Sequence, residues 1–192
     1  MGFLSSDYWT ERYDSGKTGW DLKNSSPPLK AYIDQLEDKS LKILVPGAGF
    51  GYEVMYLFQK GFKQVYYLDF SPAPLLHFKN WVPEFPEEQV LIEDFFEHTG
   101  TYDLILEQTL FCAIDPNLRD EYVKKVHGLL VPGGKLVGVL FNRDFESGPP
   151  FGGNKEEYVK RFEPYFSDIK IEDCYNSVDA RSGTELFVRF KK

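Results

Sequence analysis

Three glycines that follow an apolar run are the first residues whose types and spacing could support chemistry. They are Gly47, Gly49 and Gly51, directly after the run at residues 41–45. Glycine permits positive φ values and a close backbone approach to a ligand, and the helix that follows begins with unpaired N–H groups that attract an anion. The segment is therefore typical of a strand-to-helix turn that holds an anionic group, such as a ligand carboxylate.

Two aspartates lie where further strands are predicted to end. Asp69 comes roughly twenty residues after the glycines, where a carboxylate can accept hydrogen bonds from both ribose hydroxyls. Asp94 ends the third strand, where its carboxylate can accept from an adenine amino group while Phe95 packs near the ring. Because the carboxyl ends of parallel strands meet at one edge of a sheet, these groups and the glycine turn predict a single nucleoside site.

Other nucleotide-binding turns fit this loop less well. The dinucleotide fingerprint G-x-G-x-x-G needs glycine where Tyr52 stands, so close packing of a pyrophosphate is disfavoured. No Gly-Lys-Ser or Gly-Lys-Thr follows the first strand, which excludes a P-loop. An S-adenosylmethionine (AdoMet) pocket is the interpretation we favour. An NAD-dependent oxidoreductase and a non-catalytic AdoMet-binding protein stay open as alternatives.

The elements that must position these residues alternate between strands and helices. Apolar runs rich in β-branched and aromatic residues predict seven strands, with helical spacing between them. The strands are predicted at 41–45, 64–68, 90–92, 104–106, 135–141, 169–174 and 185–190, and the helices near Leu29 and at 52–60, 72–81, 118–130 and 155–165. This order predicts an α/β fold: a Rossmann-like, mostly parallel sheet with helices on both faces and a C-terminal antiparallel hairpin.

The length favours one domain. A chain of 192 residues is long enough for one large core and short for two. We expect a single domain over residues 1–192. Within it, residues 1–40 are predicted to form a cap over the ligand site and residues 41–192 the Rossmann-like core.

The charge and the cysteine content narrow the partners. A formal net charge of −8 opposes binding to nucleic-acid phosphates or anionic lipids. There is no apolar run of about 18 residues and no basic, then apolar, N-terminal signal. Cys112 and Cys174 are too few for a disulfide framework or a zinc site. We expect a cytoplasmic protein, a monomer or small homo-oligomer, with no metal, nucleic-acid or membrane partner.

Several finer motifs resemble one enzyme family. Two segments near the N-terminus are Trp-Thr-Glu-Arg-Tyr at 9–13 and Gly-Lys-Thr-Gly-Trp-Asp at 16–21. Together they resemble the N-terminal signature of the thiopurine S-methyltransferase family, which includes the halide/thiol methyltransferases. Phe-Cys-Ala-Ile-Asp-Pro at 111–116 resembles the halide/thiol branch, and Gly-Pro-Pro-Phe at 148–151 the thiopurine branch. With the glycine loop and Leu-Val-Pro-Gly-Gly-Lys at 130–135, these motifs identify the chain as a class I AdoMet-dependent methyltransferase of that family.

The resemblance implies roles for four residues. In the family, the N-terminal aromatic segment folds over the cofactor, so Trp9, Tyr13 and Trp20 are expected to help enclose AdoMet. Arg119 falls where the family places an arginine beside the cofactor and the acceptor, and it is the candidate catalytic residue through positioning. A positive charge in the first turn of a helix is mildly unfavourable, which supports a functional reason for Arg119.

Two positions depart from the family pattern. Ala48 stands where some relatives have cysteine, and Asp69 replaces the glutamate of the thiopurine branch. Neither change removes the chemistry that cofactor binding requires. Both place the chain outside the closest thiopurine-specific pattern.

The reaction itself demands little acid–base chemistry. Methyl transfer from a sulfonium depends mainly on alignment, and a thiol with a pKa near 8.5 is partly ionised at neutral pH. We therefore expect a small-molecule methyl acceptor, either a thiol or a related soft anion. Glu107 and Gln108, which end the fourth strand, are expected to face the methyl-transfer region, and the loop at 142–151 to cover the acceptor. Cys112 and the three histidines, His77, His98 and His127, are interpreted as structural.

Overall fold

The computed structural model describes residues 4–192 and contains one seven-stranded sheet surrounded by helices. The strands are β1 Lys42–Pro46, β2 Gln64–Asp69, β3 Val90–Ile92, β4 Tyr102–Gln108, β5 Leu130–Phe141, β6 Asp168–Asp173 and β7 Glu185–Lys191. The α-helices are α1 Ser6–Asp14, α2 Pro27–Ile33, α3 Tyr52–Gln59, α4 Leu75–Trp81, α5 Leu110–Ala113, α6 Arg119–Leu129 and α7 Lys155–Phe162. Short 3-10 turns occupy Glu87–Gln89, Pro116–Leu118 and Asp179–Arg181.

The strand order confirms the predicted fold class. The sheet runs β3-β2-β1-β4-β5-β7-β6, with β1 to β5 parallel and β7 antiparallel to both of its neighbours. In the central strand β1, Ile43 and Leu44 point to opposite faces, and both are fully buried. Each lies in a different hydrophobic cluster, so the sheet is covered on both sides as a parallel sheet requires.

Two predicted boundaries differ from the structure. The helix predicted to begin at Pro72 begins at Leu75, because Pro74 disfavours helical backbone at the residue before it and occupies the N-cap instead. The strand predicted at 135–141 begins at Leu130, which pairs with Tyr102 before a register shift brings Lys135 opposite Leu104. The residues at 131–134 therefore belong to an irregular strand and not to a loop.

The N-terminal segment lies against the loop after β2. The Ser6 hydroxyl donates a 2.8 Å hydrogen bond to the carbonyl oxygen of Phe70, and the Thr10 and Ser71 hydroxyl oxygens are 2.8 Å apart. Of the predicted cap at 1–40, residues 1–3 lie outside the described residues. None of the helices within residues 4–192 has the length and apolarity needed to cross a membrane.

Candidate active site

A cavity of about 610 Å³ lies at the carboxyl ends of the parallel strands. Its wall combines the glycine loop after β1, the loops after β2 and β3, the end of β4 and the N-terminal segment. Strands β2 and β3 lie on one side of β1, and β4 and β5 lie on the other, so the strand order reverses at β1. Crevices at such switch points bind ligands in open α/β sheets, and the volume falls in the usual range for small-molecule sites.

The glycine loop has the backbone conformation that its sequence predicts. Gly47, Gly49 and Gly51 have φ values of +63°, +55° and +75°. The Gly49 amide donates a 2.7 Å hydrogen bond to Asp69 Oδ2, and the Tyr67 hydroxyl donates to the Gly49 carbonyl oxygen at 2.5 Å. Contacts from β2 thus hold the loop in its left-handed conformation beneath the cavity.

The Asp69 carboxylate lies in the cavity wall and is only 6% exposed. Burial raises its pKa to about 6, opposed by hydrogen bonds from backbone amides such as those of Ser71 and Gly49. The Ser71 amide donates to Oδ1 at 2.8 Å. Because each carboxylate oxygen has two lone pairs, Asp69 keeps acceptor capacity for a ligand hydroxyl.

The loop after β3 brings Asp94 and Phe95 to the same cavity. Asp94 Oδ1 accepts a 2.9 Å hydrogen bond from the Phe96 amide, and the ring of Phe95 is almost fully buried. Behind them, His98 joins Glu93 at 2.6 Å and the Tyr102 hydroxyl at 2.8 Å through its two ring nitrogens. The histidine therefore fixes this loop and does not reach the cavity, in line with the structural role expected for it.

Trp9, Tyr13 and Trp20 also line the cavity. The rings pack edge to face, with Trp20 at 5.5 Å from Trp9 and 5.7 Å from Tyr13. A Cβ atom on Gly49 would lie 2.9 Å from the Tyr13 hydroxyl oxygen, so the tyrosine occupies the space that only glycine leaves open. Burial raises the pKa of Tyr13 above its ordinary value, which keeps the phenol neutral.

The predicted residues Glu107 and Arg119 do not contribute to the cavity lining, whereas Gln108 does. Glu107 is fully buried: Oε1 accepts from the Phe111 amide at 3.0 Å, and Oε2 accepts from the Tyr122 hydroxyl. Burial raises the pKa of Glu107 to about 7, against the lowering effect of those hydrogen bonds. The carboxylate thus holds α5 from behind the cavity wall.

Arg119 likewise works from behind the wall. It is 3% exposed, and Nη1 donates to the two Glu157 carboxylate oxygens at 2.9 and 3.1 Å. Nη2 donates to the Gly152 carbonyl oxygen at 2.8 Å, and the guanidinium lies over the Phe111 ring at 4.8 Å. Arg119 therefore links α6 to α7 and to the loop that carries Phe151. We call the side of the cavity lined by this loop the acceptor side, because it is the candidate site for the methyl acceptor.

Cys112 lies in the acceptor side of the wall as a buried thiol. Its Sγ donates to the Thr109 carbonyl oxygen at 3.0 Å. Burial, with a smaller contribution from the nearby Glu107, raises the pKa of the Cys112 thiol to about 12. A thiol held neutral in this way is a poor nucleophile, in line with the packing role expected for it.

Three arginines that sequence reasoning did not select also line the cavity: Arg12, Arg143 and Arg181. Arg181 Nη2 donates to the Trp20 carbonyl oxygen at 2.7 Å, and Nη1 pairs with Glu185 at 3.2 Å. Arg143 is exposed and lies over the Phe145 ring at 4.7 Å. The position of Arg143 in the sequence could have indicated a site residue, because Arg143 comes two residues after a strand that ends at the cavity. Arg181 has no local signal, since only the tertiary fold brings it to Trp20.

The fold that surrounds this cavity is similar to the folds of known AdoMet-dependent enzymes. A Burkholderia thailandensis 1,6-didemethyltoxoflavin-N1-methyltransferase, solved with 1,6-didemethyltoxoflavin and S-adenosylhomocysteine, superposes with a TM-score of 0.75 at 17% identity, covering 97% of this chain and 86% of the other. A TehB-like AdoMet-dependent methyltransferase from Corynebacterium glutamicum has a TM-score of 0.67 at 19% identity, covering 97% and 98%. The fold is thus that of the AdoMet-dependent methyltransferases.

The sequence comparisons define the family. The family model described as thiopurine S-methyltransferase matches residues 4–185, and the chain belongs to this family. A probable thiol methyltransferase 2 from Arabidopsis thaliana is 33% identical, covering 100% of this chain and 88% of the relative. A thiocyanate methyltransferase 1 from Brassica oleracea is 29% identical, with 96% and 84% coverage. The chain is therefore an AdoMet-dependent methyltransferase, and neither alternative function is favoured.

Proposed function

We propose that this enzyme transfers the methyl group of AdoMet to a small thiol or a related soft anion. The observation that carries the proposal is the charge of the acceptor side: Arg143 and Arg181 line it, whereas none of the three histidines does. An acceptor that reaches the site as an anion needs no general base. The relatives named as thiol and thiocyanate methyltransferases support the same class of acceptor.

The residues that would hold AdoMet are those of the glycine loop, the following strand ends and the N-terminal aromatic rings. We assign the ribose hydroxyls to Asp69 and the adenine to Asp94 and Phe95, with Gly47 and Gly49 beneath the ligand. Trp9, Tyr13 and Trp20 would enclose it and exclude water. When bound, AdoMet supplies a methyl group activated on a sulfonium sulfur.

The acceptor would be held by positioning and by charge. Apolar side chains, among them Leu110, Ile114 and Phe151, line this side of the cavity and suit a polarisable nucleophile. The nearby guanidinium groups favour the thiolate over the thiol, because a positive charge lowers the pKa of an acid beside it. Glu107 and Arg119 would set the position of α5 and of the 151–152 backbone, and so the shape of the wall.

The buried, unpaired thiols Cys112 and Cys174 fit a reducing compartment, and we propose the cytoplasm as the site of action. A small-molecule acceptor suits the cavity volume of about 610 Å³.

The test is a transfer assay with methyl-labelled AdoMet and a panel of thiophenols, aliphatic thiols, thiocyanate, halides, phenols and amines. The expected result is labelled product from the thiols or the soft anions, with a lower rate from the Asp69→Ala variant at the same subsaturating AdoMet concentration. Transfer only to oxygen or nitrogen acceptors would overturn the proposed acceptor class. A thermal-shift comparison of AdoMet and NAD is the accompanying binding control, with stabilisation expected from AdoMet alone.

A further inference from the structure

Thr109, the residue that follows β4, has a backbone conformation that its side chain disfavours. Its φ and ψ are +70° and −4°, in the left-handed region. Among residues 4–192, the positive-φ residues other than glycine are Thr109 and the unbranched Lys23. A β-branched side chain in this region is a genuine outlier, and the conformation costs free energy that a glycine would avoid. The chain therefore keeps Thr109 against its local preference.

Several contacts hold Thr109 in this conformation. Its carbonyl oxygen accepts a 3.0 Å hydrogen bond from Cys112 Sγ, and its hydroxyl donates to the Gln108 carbonyl oxygen at 2.6 Å. Behind the cavity wall, Glu107 Oε1 accepts from the Phe111 amide at 3.0 Å, which fixes the start of α5. The chain is thus anchored on both sides of Thr109, and the fold maintains the strained turn at this point.

Thr109 lies where the two sides of the cavity meet. The strand order places β4 between β1, whose end carries the glycine loop, and β5, whose end begins the loop at 142–151 on the acceptor side. Thr109 lines the cavity and is partly exposed, which leaves it accessible to a ligand. The next residue, Leu110, packs against the glycine loop, since a Cβ atom on Gly47 would lie 3.2 Å from the Leu110 Cβ. The methyl group and the acceptor must meet in this region.

The side chain of Thr109 needs a reason that the turn does not supply. A glycine at this position would adopt the same turn without strain. Threonine adds a methyl group and a hydroxyl, and of these two groups only the hydroxyl can form a directed hydrogen bond. Its proton can rotate away from the Gln108 carbonyl oxygen towards another acceptor, and an anionic sulfur in the cavity is such an acceptor.

We propose that the Thr109 hydroxyl is a catalytic group that donates a hydrogen bond to the attacking atom of the methyl acceptor. The inference rests on the proposed function, which is transfer to a thiolate or a related soft anion. The hydrogen bond would occupy one lone pair of the attacking atom and direct another towards the methyl carbon. Alignment of this kind is the main demand of the reaction.

The reaction balances without a proton from Thr109. The thiol proton is lost to solvent before transfer. The acceptor sulfur forms its bond to the methyl carbon as the bond from that carbon to the sulfonium sulfur breaks, and the electron pair of the broken bond stays on the sulfur of S-adenosylhomocysteine. Thr109 keeps its own proton throughout, so it orients the acceptor and does not act as a base.

The experiment compares three substitutions that separate the hydroxyl from the strain. Thr109→Ser keeps the hydroxyl and removes the β-branch, Thr109→Val keeps the branch and removes the hydroxyl, and Thr109→Gly removes both. The measurements are kcat/KM for thiophenol and for thiocyanate at saturating AdoMet, the affinity for S-adenosylhomocysteine and the melting temperature of each variant.

Activity should follow the hydroxyl, whereas stability should follow the strain. For Thr109→Val and Thr109→Gly we expect kcat/KM to fall by about 5- to 50-fold, and for Thr109→Ser to stay within about threefold of the wild type. Affinity for S-adenosylhomocysteine should change by less than about twofold in all three. Thr109→Gly should melt at or above the wild-type temperature, because the relief of strain offsets the greater freedom of glycine in the unfolded chain. A slow variant of that stability cannot owe its loss of activity to unfolding.

Thr101→Val is the matched control, because Thr101 is exposed and does not line the cavity, and its kinetics should match those of the wild type. Wild-type kcat/KM in Thr109→Val would overturn the assignment. Equal losses in all three Thr109 variants would also overturn it and assign Thr109 to the shape of the turn. A fall in S-adenosylhomocysteine affinity as large as the fall in kcat/KM would overturn it in favour of a cofactor contact. A wild-type protein that methylates no thiol or soft anion would instead overturn the proposed function.

Discussion

The backbone amide of Gly49 and the carboxylate of Asp69 are joined by a 2.7 Å hydrogen bond. The same carboxylate accepts from the Ser71 amide, so it organises the glycine loop and the loop after β2 together. We expect Asp69→Ala to weaken AdoMet binding by about 10- to 100-fold, because hydrogen bonds to a charged group contribute about 1.5–3 kcal/mol. Calorimetric titration with S-adenosylhomocysteine measures the change.

Asp38→Ala is the matched control for this substitution. Asp38 also accepts a hydrogen bond from the amide two residues later, in Ser40, but lies on the exposed surface. Its replacement should leave the affinity unchanged. Unchanged affinity in Asp69→Ala would contradict the ribose assignment.

Thr10 holds the N-terminal helix on the core through its contact with Ser71. We expect Thr10→Val, which keeps the shape and removes the hydroxyl, to weaken S-adenosylhomocysteine binding by about 2- to 10-fold, the size expected for one neutral hydrogen bond. The dissociation rate in a stopped-flow displacement experiment should rise by a similar factor. Ser15→Ala at the end of the same helix is the control, and an equal effect of both variants would argue against the Thr10–Ser71 contact.

Glu107 should make the protein less stable as pH rises. Burial raises the pKa of this acid to about 7, above its value in the unfolded chain. The folded state therefore holds the proton more tightly, and the resulting stabilisation is complete below the unfolded pKa and lost as pH rises towards 7. From the size of one pKa unit, the loss between pH 4.5 and pH 7.5 is on the order of 3 kcal/mol.

Glu107→Gln isolates this effect, because glutamine can accept from the Phe111 amide and donate to the Tyr122 hydroxyl without titrating. Urea unfolding at a series of pH values should give a smaller decrease in the free energy of unfolding for the variant than for the wild type. Parallel pH profiles for the two proteins would rule out the raised pKa.

Cys112 should behave as an inert thiol. Because burial raises its pKa to about 12, alkylation by iodoacetamide should be slow at pH 7 in the folded protein and fast only after unfolding. A Cys174→Ala background, probed by mass spectrometry, confines the measurement to Cys112. Cys112→Ala should keep the methyl-transfer rate within a few-fold of the wild type, whereas complete loss of turnover in a folded variant would indicate a nucleophilic role.

Arg119 should affect the acceptor through the loop that it holds. Arg119→Met removes the hydrogen-bonded ion pair with the partly exposed Glu157, which keeps Arg161 as its second partner, and should cost about 1.5–3 kcal/mol of stability. The KM for the methyl acceptor should rise several-fold, because the backbone at 151–152 loses its anchor, while the affinity for S-adenosylhomocysteine stays constant. Equilibrium unfolding and steady-state kinetics test the two effects separately.

Glu157→Gln distinguishes this indirect role from a direct one, since Glu157 does not line the cavity. It should raise the acceptor KM in the same direction as Arg119→Met, by a smaller factor. A Glu157 variant with wild-type kinetics, beside an Arg119 variant that loses affinity for S-adenosylhomocysteine, would instead favour the direct cofactor contact that the family resemblance implies.

The sequence by itself determined the architecture and the position of the glycine loop and Asp69 within it. Alternating strand and helix patterns predicted the parallel sheet, because the two elements have different hydrophobic periods. The three loop glycines and Asp69 could be placed from spacing alone, since the carboxyl ends of adjacent parallel strands must meet at one edge. These features depend on local sequence patterns and on the right-handed connection between parallel strands, and both can be predicted from the sequence.

Only the tertiary structure decided which side chains face the cavity at the ends of those elements. Glu107 and Gln108 are adjacent in β4, but successive side chains of a strand point to opposite faces, and a Cβ on Gly138 would lie 2.4 Å from the Glu107 Cβ. Glu107 therefore packs on the neighbouring strand, while Gln108 lines the cavity. Arg119 turns to Glu157, which is 38 residues away in the chain. Such pairings join residues that are far apart in the chain, and they leave no repeating pattern in the sequence. The residues that line the acceptor side of the cavity could therefore not be predicted from motifs.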